Sequence, residues 1–118
     1  MIAIPVKDRN ENPVVDERFG RCDLFYIIDN KGNHKFIKNS AKNLTSGAGG
    51  KAVSILADEG VTKIISPHIG PKAMDVIKII NMDIYDIGDN KTVKEALLSL
   101  QANKLNIVPT KSSGLKRV

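Results

Sequence analysis

Three glycine-marked turns carry most of the side chains in this chain that could do chemistry. The first turn contains Arg18, Arg21 and the only cysteine, Cys22. The second is the Ser-Gly-Ala-Gly-Gly-Lys run at residues 46–51, and the third contains His68, one of only two histidines. A thiol, an imidazole, guanidinium groups and glycine-rich backbone together suit an anionic or metal-containing ligand. The sequence therefore predicts a binding site if the three turns meet in space.

The pattern of apolar residues predicts the element order βββαβαβα. Short apolar runs separated by turn residues indicate strands, and the residues Ala73, Val76, Ile77 and Ile80 recur at helical spacing. Thr92 followed three residues later by Glu95 is a capping box, which marks the start of the last helix. We predict strands over residues 2–6, 24–28, 34–38, 63–66 and 82–86, with helices that follow Gly50, Pro71 and Thr92.

This order brings the three turns to one edge of a mixed sheet. An early hairpin followed by right-handed βα units predicts an α/β fold with about five strands, covered by helices on both sides. The first, third and fourth strands then end where the second begins. Helix N-termini near Gly49 and Pro71 would point free amides at the same edge, where open α/β sheets bind ligands.

Composition and charge limit the function classes. The chain has 118 residues, which suits one domain, and we place it at residues 1–108 with a flexible basic tail at 109–118. Four of the five net positive charges fall in residues 104–118, and aromatic residues are 4%, so nucleic-acid binding is not favoured. No apolar run is long enough for a membrane helix, and no signal peptide is visible. One cysteine fits a reducing cytoplasm.

The glycine run allows two interpretations. It superficially matches a dinucleotide fingerprint, but no strand precedes it directly and no acid ends the next strand, where Ser66 stands. It also fails as a phosphate-binding P-loop, because Thr45 replaces the first glycine and Ala52 replaces the metal-binding hydroxyl residue. It is either a backbone cradle for an anion or a tight loop that lets a helix pack closely on the sheet. Its candidate binding residues are Ser46, Gly47, Gly49, Gly50 and Lys51.

Cys22 and His68 are the candidate metal ligands, each with a structural alternative. A lone cysteine is commonly a small buried hydrophobe, although neighbouring arginines would favour the metal-binding thiolate. His68 could instead cap a helix or lie on the surface, and neither residue belongs to a zinc-binding pattern. The acids near this edge, among them Asp16 and Asp23, are interpreted as a solvated surface rather than a catalytic set.

As an ordered set, the motifs resemble one known family, the small dinitrogenase iron–molybdenum cofactor biosynthesis domain. The resemblance covers residues 1–108. It implies a three-layer α/β/α, ribonuclease-H-like fold with a mixed five-stranded sheet, whose second strand is antiparallel to the rest. It also implies no catalytic triad, and that some members bind an iron–sulfur-based cofactor or precursor and pass it on. The matching segments are Ile2 to Val6, Arg18-Phe19-Gly20-Arg21, Phe25 to Ile28, Gly47 to Ala52, Gly60-Val61, Ile69 to Ala73, Met82 to Tyr85 and Thr92 to Ala96.

One departure from the family pattern matters. Members that bind cofactor often carry His just before Phe-Gly, and Arg18 stands there in this chain. Arg18 can therefore act only as a cationic clamp, and Cys22 and His68 are the ligands that we infer. Arg21 would stabilise the negative charge of the ligand together with Arg18. The leading prediction is a non-enzymatic carrier of an iron–sulfur-type metallocluster with donor and acceptor proteins as partners. The alternatives are a metal-free small-anion or nucleotide-binding module and, third, a ribonuclease-H-type nuclease, which would need carboxylates on the strands.

Overall fold

The structure, a computed structural model, describes residues 1–110 and contains the predicted order of elements. Five strands form one sheet, and a short 3₁₀ turn, Phe19–Arg21, precedes the second strand. The strands are β1 (Ile2–Val6), β2 (Leu24–Ile28), β3 (His34–Lys38), β4 (Lys63–Ser66) and β5 (Asp83–Asp86). The helices are α1 (Ala48–Asp58), α2 (Pro71–Ile80) and α3 (Val93–Gln101).

The sheet is mixed, with the strand order β3-β2-β1-β4-β5. Strand β2 pairs antiparallel with both β1 and β3, whereas β4 pairs parallel with β1 and β5. The carboxyl ends of β1, β3, β4 and β5 therefore lie at one edge, where β2 begins. This confirms the predicted mixed five-stranded sheet with one antiparallel strand; the ribonuclease-H-like label stays a prediction.

Alternating side chains along the strands build two cores, one on each face of the sheet. In β4, Ile64 packs into the cluster beneath α1 and α2, and its neighbour Ile65 packs into the cluster beneath α3. The same alternation separates Phe25 from Tyr26 in β2, because successive strand residues point to opposite faces. The two cores confirm the predicted three-layer α/β/α arrangement.

Helix α1 starts earlier than predicted. The loop was expected to continue through Gly50, but α1 begins at Ala48, so that Gly49 and Gly50 lie in its first turn. A Cβ on Gly49 would lie 3.0 Å from the Ala73 Cβ, and one on Gly50 would lie 3.2 Å from the Val76 Cγ2. These glycines let α1 approach α2 closely, so the close packing that they allow is between two helices rather than between a helix and the sheet.

The start of α3 and the edge beyond β5 depend on local contacts. The capping box is present: the Thr92 side chain accepts from the Glu95 amide, and the Glu95 carboxylate accepts from the Thr92 amide.

Along β5, residues 106–108 add two backbone hydrogen bonds, Asp86 N to Asn106 O and Val108 N to Ile84 O. Most of the tail predicted at 109–118 lies outside the described residues. Through residue 110, the chain contains no helix that is both long and apolar enough to cross a bilayer.

Candidate functional site

All three glycine-marked turns line one open pocket of about 530 Å³ at the carboxyl edge of the sheet. It lies where the first two helices begin, beside the 3₁₀ turn that precedes β2. The predicted meeting of the turns is thus seen in the structure. The lining residues are Glu17, Arg18, Phe19, Gly20, Arg21, Gly47, Ala48, Gly49, His68, Gly70, Pro71, Lys72 and Ala73.

Two helix N-termini face this pocket without side-chain caps. Helix α1 is preceded by Gly47 in the left-handed region (φ 73°), and α2 by the extended Gly70; neither start has a side-chain capping hydrogen bond. The first intrahelical bonds are Lys51 N to Gly47 O and Met74 N to Gly70 O. The amides before them lack a helical acceptor. Helix α3, in contrast, satisfies its N-terminal amides with a capping box. The two helices with uncapped N-terminal amides are therefore the two that begin at the pocket.

Backbone contact between the first two turns sets the pocket floor. A Cβ built on Gly20 would lie 2.8 Å from the Gly49 N and 2.9 Å from its Cα, so Gly20 rests directly against the first turn of α1. Ala73 of α2 touches the other side of Gly49. The 3₁₀ turn, α1 and α2 therefore meet through small residues, which lets their amides converge on one volume.

Arg18 is held at the rim by Asp16. The Asp16 carboxylate accepts from the Arg18 amide (2.9 Å), Nε (3.1 Å) and Nη2 (3.0 Å). Burial alone would raise the pKa of Asp16, but the hydrogen bonds and charge of Arg18 outweigh it and hold the pKa below its ordinary value. The Asp16 side chain is 2% exposed and that of Arg18 61% exposed. Asp16 is thus a buried positioning residue, and its assignment to a solvated surface was wrong.

Arg21 and Asn39 tie the first turn to the loop before α1. The Arg21 guanidinium donates to the Lys42 and Leu44 carbonyls at 2.7 and 2.6 Å. The buried Asn39 amide donates to the carbonyls of Gly20 and Cys22 at 3.1 and 3.0 Å. Sequence reasoning missed Asn39, because an asparagine in a polar loop gives no signal that its side chain will be enclosed.

The pocket carries an excess of positive charge. Arg18, Arg21 and Lys72 line it, whereas Glu17 is the only acid that residues 1–110 contribute to the lining. The Glu17 Oε2 lies 3.9 Å from the Lys7 Nζ. His68 adds an exposed imidazole. With the helix amides, these cations make the site suited to a negatively charged ligand.

Cys22 lies in the core rather than in the pocket. Its side chain is fully buried, its thiol donates to the Phe19 carbonyl at 3.3 Å, and it packs with the cluster beneath α1 and α2. Burial, and secondarily the charge of Asp16, raise the pKa of the thiol from 9.0 to about 12. The expectation that nearby arginines favour the thiolate was therefore wrong, since Arg18 is directed to Asp16.

We expect the Cys22 thiol of the folded protein to react slowly with iodoacetamide. At pH 7.5, a thiol with a pKa of about 12 instead of 9.0 has about a thousandfold less thiolate. Burial of the side chain also blocks access of the reagent. Mass spectrometry of alkylation at pH 7.5, with and without 6 M urea, measures this difference. Alkylation in the native state at the rate of a free thiol would contradict the buried position.

The remaining predicted residues divide between the pocket and its surroundings. Gly47 and Gly49 line it, whereas Ser46, Gly50 and Lys51 do not. Among residues 1–110, no group of three or more His, Cys, Asp or Glu side chains is arranged to hold a metal ion. His68 is therefore the one predicted metal ligand that borders the pocket.

Comparison with known proteins identifies the family. The sequence profile described as dinitrogenase iron-molybdenum cofactor matches residues 1–103. The chain belongs to the dinitrogenase iron-molybdenum cofactor family. The match spans every element that forms the pocket and ends just after α3. The resemblance inferred from the motifs is thereby confirmed.

Other comparisons place this family member among proteins of the same fold. An uncharacterised protein of Methanocaldococcus jannaschii is 36% identical over 88 residues, which cover 71% of each chain. A Thermotoga protein described as a candidate NifB protein superposes with a TM-score of 0.76 at 28% identity, over 89% of this chain and 90% of that one. The apo form of the orange protein from Desulfovibrio gigas gives a TM-score of 0.85 at 24% identity, over 91% of both chains.

Proposed function

We propose that this domain binds an anionic iron–sulfur-type metallocluster in the pocket and carries it without transforming it. The observation that supports this is the pair of uncapped helix N-termini, α1 and α2, that converge on the pocket beneath a rim of cations. Such an arrangement stabilises negative charge with fixed amides and needs little rearrangement when the ligand binds. The family's association with the iron-molybdenum cofactor indicates the class of cargo.

The donor set fits a cluster that is held loosely. Resident iron–sulfur clusters are held by several cysteine thiolates, but the pocket lining offers one imidazole, His68, as a metal ligand. Most of the binding free energy must then come from charge and hydrogen bonds, which a partner protein's stronger ligands can replace. This supports a carrier that receives its cluster from a donor protein and delivers it to an acceptor. A reducing cytoplasm is the compartment that we propose for it.

Cys22 has no part in this proposal. The thiol would reach the pocket only if the Phe19–Arg21 turn opened, because that turn and Asn39 enclose it. Its role as a ligand remains a prediction from sequence, and the Cys22→Ala variant tests it. We expect that variant to bind as much cluster as the parent and His68→Ala to bind less.

Cluster loading tests the proposal directly. Iron, molybdenum and acid-labile sulfide are measured after anaerobic purification and after reconstitution with ferrous iron, sulfide and molybdate. We expect Lys72→Glu to reduce the bound metal at least about fivefold, since it places an acid at the uncapped start of α2.

The matched control is Lys94→Glu, the same change of charge in the first turn of α3 on the opposite face of the sheet. It should leave loading unchanged. Equal loss in both variants would show an effect of net charge alone, and a parent that takes up no metal or sulfide would overturn the carrier function.

A second candidate is a module that binds a small anion or nucleotide without metal. It is favoured because residues 1–110 contain no group of three or more His, Cys, Asp or Glu side chains arranged to hold a metal ion. Thermal shifts with inorganic phosphate, ATP and GTP distinguish the two. Stabilisation by phosphates that Lys72→Glu removes, together with failed metal loading, would support the second function.

A further inference from the structure

A second cavity lies behind His68, separate from the pocket that we assign to the cluster. Its volume is about 310 Å³, and it is more enclosed than the first, between the carboxyl ends of β4 and β5 and one side of α2. His68 borders both cavities. The volume is about ten times that of one water molecule, so the cavity has room for a small organic molecule. Its lining is Ser66, Pro67, His68, Ile69, Met74, Ile84, Asp86 and Val108.

One buried polar atom in this cavity wall lacks a partner. Ser66 is 1% exposed, and its Oγ has no hydrogen bond within the described part of the chain. A buried hydroxyl without a partner costs about 1–3 kcal/mol, so such groups are rare in folded proteins. The Ser66 backbone is satisfied, because its carbonyl accepts from Ile87 N at 3.0 Å. The unsatisfied group is therefore the side chain alone, in a residue that lines the cavity.

The rest of the lining defines the chemistry of an occupant. Most of the wall is apolar, contributed by side chains such as Met74, Ile84 and Val108. The only carboxylate that the described part of the chain adds to this lining is that of Asp86. Its Oδ1 accepts from the Gly88 amide at 2.8 Å, which leaves Oδ2 for another donor. Among residues 1–110, the lining thus combines an apolar body, one buried hydroxyl, the His68 imidazole and one anionic group at an exposed position, without arginine or lysine.

We propose that this cavity is a binding site for a small aliphatic ammonium compound, whose alkyl body packs on Met74, Ile84 and Val108. The ammonium group donates one hydrogen bond to the Asp86 carboxylate and another to the Ser66 Oγ, which thereby gains a partner. The charge preference is opposite to the one that we propose for the first pocket, which is lined by Arg18, Arg21 and Lys72. This site stands on its own observations and does not depend on the cluster function.

Three probes of one shape test the site: isobutylammonium, isobutanol and isobutyrate, each titrated at pH 7 into the ¹⁵N- and methyl-labelled protein. Chemical shifts of Ser66, Met74 and Ile84 report binding. We expect isobutylammonium to bind with a dissociation constant on the order of millimolar. We expect it to bind about two- to fivefold more tightly than isobutanol. Isobutyrate should bind least.

Two variants assign the contacts. Ser66→Ala should weaken isobutylammonium binding about three- to tenfold, while the urea midpoint of the ligand-free variant stays equal or rises, because an unsatisfied hydroxyl is removed. Asp86→Asn should remove the preference for ammonium over alcohol. Ser99→Ala is the matched control, since the Ser99 hydroxyl donates to Asn90 on the opposite side of the sheet. Its binding should equal that of the parent.

Three results would overturn the proposal. They are the absence of shifts at the cavity residues, binding of isobutyrate as tight as that of isobutylammonium, or undiminished ammonium binding by Ser66→Ala. The metal-loading assay gives a separate answer for the first pocket. Failure of one site therefore does not decide the other.

Discussion

Replacing Gly20 by alanine is expected to lower the free energy of unfolding by about 2–3 kcal/mol and to abolish ligand binding at the pocket. The new Cβ would lie 2.8 Å from the Gly49 N and 2.9 Å from its Cα. Because both are backbone atoms of α1, neither can rotate away, and the 3₁₀ turn or the helix must shift. Urea denaturation measures the stability, and the loading assay measures the function.

Gly70→Ala is the matched control for this substitution. Gly70 also lines the pocket, but its φ of −68° is ordinary for any residue and no atom lies within 4 Å of an added Cβ. We expect a change within about 1 kcal/mol. If Gly20→Ala proved as stable as Gly70→Ala, the close contact between the turn and α1 would not exist in solution.

The substitution Asp16→Asn is expected to cost about 2 kcal/mol of stability at pH 7 and to weaken anion binding several-fold. The variant loses the charge that holds the guanidinium of Arg18, and an amide cannot accept the same three hydrogen bonds. Asp23→Asn is the control at the same edge. Its ion pair with Lys42 is exposed, so it should change stability by less than about 0.5 kcal/mol.

The loss of stability caused by Asp16→Asn should also depend on pH, and the direction of the pKa shift determines whether the loss grows or shrinks at low pH. The pKa of Asp16 is lower in the folded protein than its ordinary 3.8, so its ionised form stabilises the fold above pH 3.8. That contribution is lost as the pH falls through the folded value. The difference between parent and Asp16→Asn should therefore shrink between pH 5 and pH 2.5. A difference that stays constant over this range would show that the carboxylate charge is not the cause.

The family member's order of elements could be predicted from the sequence because it depends on local patterns. Short continuous apolar runs at Ile2–Val6 and Leu24–Ile28, the second rich in β-branched and aromatic residues, indicate strands, and helical spacing indicates α2. The start of α3 could be predicted to the residue, since both partners of its capping box lie within four residues. The predicted β5 began one residue too early, at Met82, which is buried just before the strand.

The meeting of the three turns could also be predicted, because it follows from strand direction alone. Once β2 is antiparallel and β4 is parallel to β1, their connections must reach the same edge. The residue-level chemistry of that edge could not be predicted in the same way. Loop residues have no periodicity, so nothing local shows which of them will be covered.

The sequence by itself determined the family, the sheet with its two helical layers, and the edge at which the turns converge. Only the tertiary structure decided that Cys22 is enclosed beneath Asn39, that Asp16 is buried against Arg18, and that Gly49 serves helix packing. The physical reason is that Cys22 and Asn39 lie 17 residues apart in the chain and that Gly49 meets Ala73 of another helix, while the burial of Asp16 depends on the fold around its loop. Spacing and residue type report on local geometry, whereas burial depends on what packs on top.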